Sequence, residues 1–180
     1  SLLSDVTFLR YVLILRSVKG ALCCAGRYRL KKVNDIKDAI VALDTVENKL
    51  PVIYTSFGNG DDNVSASVLE YINEYIIILK QKDLLSSVDR QNLESLISIN
   101  FEKMKYDESY DFENDGDEEA QFLEFRIQLK KLYVNIASLD KNLILSRTQQ
   151  LVTSALGNWQ TCKFQDAELA ITCLYELGES

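Results

Sequence analysis

The sequence predicts an all-α fold, an α-α superhelix of HEAT-type helix pairs. Three observations predict it. Apolar residues recur at spacings of three and four in seven segments, the period of one helix face. No segment sustains the period-two alternation of a half-buried strand. Seven Gly and one Pro in 180 residues are few for a chain of short strands and tight turns. Helix pairs of about forty residues or more have HEAT-repeat spacing, and such units bury their faces mainly against neighbours. An irregular helical bundle is the competing arrangement, and periodicity alone leaves it open.

The first helical pattern runs from about Asp5 to Ala25, with Phe8, Val12, Leu15 and Leu22 on one stripe. The second opens at Asn34, a plausible N-cap, and carries Ile36, Ile40, Leu43, Val46, Leu50, Ile53 and Phe57. Pro51 falls inside it. A proline ring clashes with the preceding turn, which predicts a kink or break near Leu50. GNGDDN at 58–63 is turn chemistry. The third pattern, Ser65 to Lys82, uses Val68, Ile72, Tyr75 or Ile76, and Leu79. The fourth follows Ser86 and Ser87 and uses Leu93, Ile97, Phe101 and Met104. The fifth, Glu118 to Leu139, has Phe122, Phe125, Leu129, Leu132, Ile136 and Leu139 in register. The sixth opens at Asp140 and uses Ile144, Leu151, Val152 and Ala155. The seventh starts near Phe164 and uses Ala167, Ala170, Ile171, Leu174 and Leu177. The expected pairs are 5–57, 65–105 and 118–157, with 164–178 opening a fourth and 107–117 as an acidic loop. Both ends read as cut from a larger solenoid, of which 1–180 is a segment.

Composition removes several function classes. There is no His, which excludes Ser-His-Asp and Cys-His nucleophiles and the commonest Zn ligand. The four cysteines, Cys23, Cys24, Cys162 and Cys173, lack the spacing of a Zn site and read as reduced core thiols of an intracellular protein. The longest apolar runs, Tyr11 to Leu15 and Tyr75 to Leu79, are far too short to span a bilayer, so no membrane insertion is expected. No signal peptide is visible. An enzyme that works with carboxylates or Lys stays open on composition, and no cofactor and no metal are expected.

Net charge is -7, but it is not spread evenly. Residues 107–119 read DESYDFENDGDEE, eight acids and no base. The remaining nineteen acids nearly balance the twenty bases. A nearly neutral body thus carries one acidic segment, and a smaller basic cluster lies at Arg27, Arg29, Lys31 and Lys32. Eight carboxylates without a counter-base repel one another, so the acidic segment is expected to be extended, hydrated and readily cleaved. Asp111, Glu113, Asp115, Gly116, Asp117 and Glu119 imitate an EF-hand loop, but Phe122 stands where the bidentate Glu is needed. Ca²⁺ binding is therefore the weaker reading.

Three stretches carry a resemblance: DDNVSASVLEYINEYIIILKQ (61–81), YDESYDFENDGDEEAQFLEFRIQLKKL (106–132) and NWQTCKFQDAELAITCLYELGE (158–179). In order, spacing and residues they resemble the exportin-T family of tRNA export receptors, within the importin-β (karyopherin) superfamily. DIKDAIVALDTVENKL (35–50) is similar more loosely. The acidic run with its Phe-x-x-Phe-Arg helix marks the superfamily, and NWQTCKF is the more specific sign. The resemblance implies a large HEAT superhelix that binds tRNA cooperatively with the GTP form of Ran, shuttles between nucleus and cytoplasm and is not itself an enzyme. Nucleoporins are a further candidate partner. It also implies that the second helix of each pair, here 34–57, 87–105 and 141–157, faces the cargo.

On those helices lie Lys37, Lys49, Arg90, Lys103, Lys105, Lys141 and Arg147. Lys103, Lys105 and Arg147, near ends of inner helices, are the candidate tRNA contacts, because tRNA is read largely by shape and backbone. Asp115, Asp117, Glu118 and Glu119 are the candidate Ran contacts. Their bland reading is a solvated loop whose acids favour a helix N-terminus. Trp159 could stack on a base but is expected in the core. The nine Tyr read as packing. A HEAT scaffold for protein–protein contacts without RNA is the alternative function.

Overall fold

The computed structural model describes residues 47–80, 82, 84–110, 112 and 116–179. Among them are helices and no strand, the all-α class that the periodicity predicts. The first pattern, the Asn34 cap, Lys37, Cys23, Cys24 and the cluster Arg27 to Lys32 lie outside the described residues. The chain divides into two compact units, Ser1–Leu85 and Ser86–Ser180.

In the first unit, α1 covers 47–57, α2 is Asp62–Ser67 and α3 is Leu69–Leu79. Among the described residues α1 is continuous from 47 through Pro51 to 57, without a break near Leu50. A proline forfeits one backbone donor, a loss of one rung, and Leu50, Ile53 and Phe57 hold the helix down by burial. Thr55 Oγ1 donates to the Pro51 carbonyl at 2.9 Å. The 58–61 turn ends at Asp61, whose side chain accepts from the Asn63 N–H at 2.9 Å and so starts α2 three residues before Ser65. The third pattern is not one helix. It breaks at Val68, with φ -98° and ψ -7°. Val68 and Leu69, at the break, are both buried.

The second unit holds α4 (Ser87–Met104), α5 (Asp117–Ala137), α6 (Lys141–Gly157) and α7 (Phe164–Glu179). Ser86 opens α4 with a capping box. Its hydroxyl accepts from the Asp89 N–H at 3.1 Å, and Asp89 accepts from the Ser86 N–H at 2.8 Å. Asp140 caps α6 by accepting from the Leu143 N–H at 3.0 Å. The short connections 138–140 and 158–163 fold α6 back on α5 and α7 back on α6. α5 is the central helix and packs on α4, α6 and α7. Phe125, Leu129, Leu132 and Ile136 are buried, as its stripe predicts.

α7 differs from expectation. It buries Leu169, Ala170 and Cys173, while Ile171 and Leu174 are exposed. The helix is apolar on more than one side, so periodicity defines no single face and the α5–α6 surface selects one. Tyr133 of α5 joins three helices: its hydroxyl shares a 2.7 Å hydrogen bond with Thr148 Oγ1 of α6 and donates to the Cys173 carbonyl of α7 at 3.1 Å. Burial pushes the Tyr133 phenol up to about 12, and it pushes the Cys173 thiol up to about 12. That thiol is therefore inert at neutral pH.

Candidate functional site

The acidic run interleaves its carboxylates with Tyr106, Tyr110 and Phe112, and these rings decide its conformation. Tyr106 lies 4.6 Å from Tyr110, 4.9 Å from Phe112 and 5.6 Å from Phe122 between ring centroids. Tyr110 lies 4.9 Å from Phe112 and 5.7 Å from Phe122. Phe112 meets Phe164 of α7 edge-on at 5.6 Å. These are favourable aromatic separations. Asp107 turns the chain by accepting from the Ser109 N–H at 2.8 Å, and these bonds from Ser109 hold its carboxyl below the usual range. Glu108 pairs with Lys163, which raises the Lys163 ammonium. The segment from Tyr106 to Phe112 is therefore tied to the body at both its rings and its charges. The expectation of an extended run fails there, because ring–ring contacts outweigh like-charge repulsion between screened surface carboxylates, while Asp107 and Glu108 themselves stay exposed.

The anchor predicts a local measurement. Phe122 touches two rings of the segment, and each such pair is worth about 0.5–1.5 kcal/mol. Phe122→Ala should raise the rate of cleavage at Glu108 by a Glu-specific protease about tenfold, through easier local opening. An unchanged rate would show that the rings do not hold the segment.

Below the cluster sits Arg126, which is 5% exposed. Its Nε donates to the Met104 carbonyl at 2.9 Å, and its Nη1 donates to the Tyr106 hydroxyl at 2.8 Å. Its Nη2 donates to Glu168 of α7. The guanidinium carbon lies 4.3 Å from the Tyr106 ring centroid, a cation–π contact. Arg126 thus satisfies the last carbonyl of α4, holds the first ring of the acidic segment and binds α7. Sequence reasoning passed it over as part of a superfamily motif. The available signal was a base at position 126, one place after Phe125 and beside the apolar stripe of α5.

Asp117, Glu118 and Glu119 form the first turn of α5 behind the N-cap Gly116, which gives no side-chain cap. Their charge suits the positive end of a helix dipole. Asp117 is exposed and Glu119 half-buried. Asp115 lies outside the described residues, as do Asp111 and Glu113 of the imitated EF-hand loop. Among the described residues no His, Cys, Asp and Glu side chains group to hold a metal ion.

The three candidate tRNA contacts occupy different surroundings. Lys105, just past α4, bonds Glu102 and Asp166, each at 3.0 Å. Burial opposes its charge, but those two acids prevail and raise its ammonium above the ordinary value. Lys103 is half-buried in the last turn of α4. Arg147 donates to Ser98 Oγ at 2.7 Å and to Gln150 Oε1 at 3.5 Å, both neutral groups. Arg90 faces Asp140 at 3.5 Å. Trp159 is a correction: it stands 72% exposed on the α6–α7 turn, because Leu169 and Cys173 of α7 fill the space against α5. Among the described residues no helix is long and apolar enough to cross a membrane.

A sequence profile of the Exportin-T family matches residues 37–180. Among curated relatives, the human protein named Exportin-T is 36% identical over 176 residues, which are 98% of this chain and 18% of that protein. The Danio rerio protein of the same name is 33% identical over 176 residues, with the same shares. The Mus musculus protein is 36% identical over 152 residues, 84% of this chain and 16% of its own length. The chain spans less than a fifth of the relatives that it matches.

Proposed function

This chain belongs to the exportin-T family, and from that premise we propose that it is a segment of a HEAT-repeat receptor that carries tRNA out of the nucleus with the GTP form of Ran. The similarity along 98% of the chain is the observation that carries this reading. The segment contributes helix pairs to a longer solenoid, and the receptor shuttles between nucleus and cytoplasm. In it, Asp115, Asp117, Glu118 and Glu119 meet a basic surface of Ran, and Arg147, Lys103 and Lys105 meet tRNA phosphates. Lys105 must exchange its carboxylate partners to do so, which makes Arg147 the better-prepared contact. Nucleoporins are partners during passage.

Asp117, Glu118 and Glu119 stand in the first turn of α5, and this supports the Ran assignment physically. A charged run that is already held in place loses less conformational entropy on docking than a free one. The alternative, a scaffold without RNA, draws on the exposed rings of Phe112, Phe164 and Trp159, which suit protein contacts. Binding of mature tRNA by the full-length receptor, with and without Ran in its GTP form, decides between them. Cooperative binding supports the carrier, and Ran binding without any tRNA binding supports the scaffold. The 180-residue chain alone should bind tRNA weakly and release it as salt rises, since each phosphate contact releases counterions. Tight, salt-resistant binding by this chain would contradict a site spread over many repeats.

A further inference from the structure

The acidic segment leaves the end of α4, yet its outward contacts fall on the start of α7. Glu108 pairs with Lys163, 55 residues away in the chain. Phe112 meets Phe164 edge-on, with ring centroids 5.6 Å apart. Lys105, at the root of the segment, bonds Asp166 at 3.0 Å. All three partners lie between 163 and 166, on the approach to α7 and in its first turn. α6 stands between the two regions in sequence and contributes none of these residues. The segment is thus a strap from the α4–α5 corner straight to α7.

Its two ends are held differently. At the root, Arg126 donates to the Tyr106 hydroxyl at 2.8 Å and lies 4.3 Å from that ring's centroid. The same guanidinium donates to Glu168 of α7. Arg126 is buried, and salt screens a buried pair little. At the free end, Glu108, Lys163, Phe112 and Phe164 are all exposed. An exposed ion pair gains little and is screened by salt. A ring pair open to water keeps only part of its burial gain. Opening the free end therefore breaks one screened ion pair and one exposed ring pair, while the root stays in place. Further along α7, the Tyr133 hydroxyl holds the Cys173 carbonyl at 3.1 Å, which confines the opening to the start of that helix.

We infer that residues 105–110, with the ring of Phe112, form a hinged strap: Arg126 fixes its root, and the Glu108–Lys163 and Phe112–Phe164 contacts latch it on α7 and release together when the latch charges are screened. The device depends on no particular partner. Hydrogen exchange of the full-length receptor, read by mass spectrometry over 104–110 and 164–172, tests it. Phe112→Ala should speed exchange over 164–172 about threefold, and Phe164→Ala should do the same over 104–110, because one opening serves both windows. Residues beyond Cys173 should be unchanged. Lys163→Glu should speed exchange in both windows, and adding Glu108→Lys should return both to the parental rate, since the reversed pair restores the attraction. Raising salt from about 0.05 M to about 0.5 M should speed both windows in the parent. In the double variant Glu108→Gln with Lys163→Gln, that salt response should disappear. A response confined to the window that carries the substitution would reduce the strap to separate local contacts and overturn it. Failure of the reversed pair to restore the rate would overturn the latch. Faster exchange throughout α4 to α7 would show that these contacts hold the fold as a whole, which also overturns a strap that opens by itself.

Discussion

Arg126→Met should lower the stability of the 180-residue chain by about 3 kcal/mol, the cost of removing one partner from a buried, hydrogen-bonded charge pair. Three acceptors lose their donor at once: the Met104 carbonyl, the Tyr106 hydroxyl and the Glu168 carboxylate. The methionine keeps much of the arginine's volume, so the loss reports hydrogen bonding and charge and not a cavity. Spread over a unit of this size, it should lower the midpoint of thermal unfolding by more than about 10 °C. Circular dichroism at rising temperature reads it. Adding Glu168→Leu should recover part of the loss, because the second change removes the stranded carboxylate. A midpoint within about 3 °C of the parent would show that the guanidinium does not bear these contacts.

Replacing Asp115, Asp117, Glu118 and Glu119 with Asn or Gln in the full-length receptor should slow association with the GTP form of Ran about tenfold. The change removes four like charges from one turn and its approach, where steering is strongest. The dependence of the rate on salt should flatten, because the field is screened beyond about 8 Å at physiological ionic strength. Stability should fall by only a few tenths of a kcal/mol per acid at the helix N-terminus. Under cooperative binding, tRNA loading then drops through linkage and not through a lost contact. Stopped-flow association at several salt concentrations measures both effects. An unchanged rate and slope, in a folded receptor, would leave these acids as a solvated helix start.

The elements that were legible in the sequence are those where one force acts alone. Ser86 and Asp140 are caps because their oxygens have an orphan N–H within reach. The α5 stripe is legible because Phe125, Leu129, Leu132 and Ile136 keep one unbroken register of three and four, although Leu123 and Ile127 lie exposed beside it. Reading fails where two forces compete. α7 is apolar on two sides, and tertiary contact chose Leu169 and Cys173 over Ile171 and Leu174. Pro51 signals a break that burial of its neighbours overrides. The candidate site was read by charge, and charge hid the aromatic residues in it. Tyr106, Tyr110 and Phe112 follow no helical stripe, so periodicity passed over them, and counting carboxylates predicted a loose run where the rings make a fastening. Trp159 escaped for a similar reason: size argues for burial, but position on a turn decides it.

Tyr133 has a mechanical consequence. One oxygen bonds both α6 and α7, so neither helix can slide along α5 without straining the other's attachment. A shear of 1–2 Å, common at helix interfaces that switch, would lengthen and weaken these bonds of 2.7 and 3.1 Å. The three helices therefore behave as a stiff block under load. If the receptor bends as cargo loads and unloads, the compliance has to reside outside this block, and a phenol far from any ligand fixes where the spring is not.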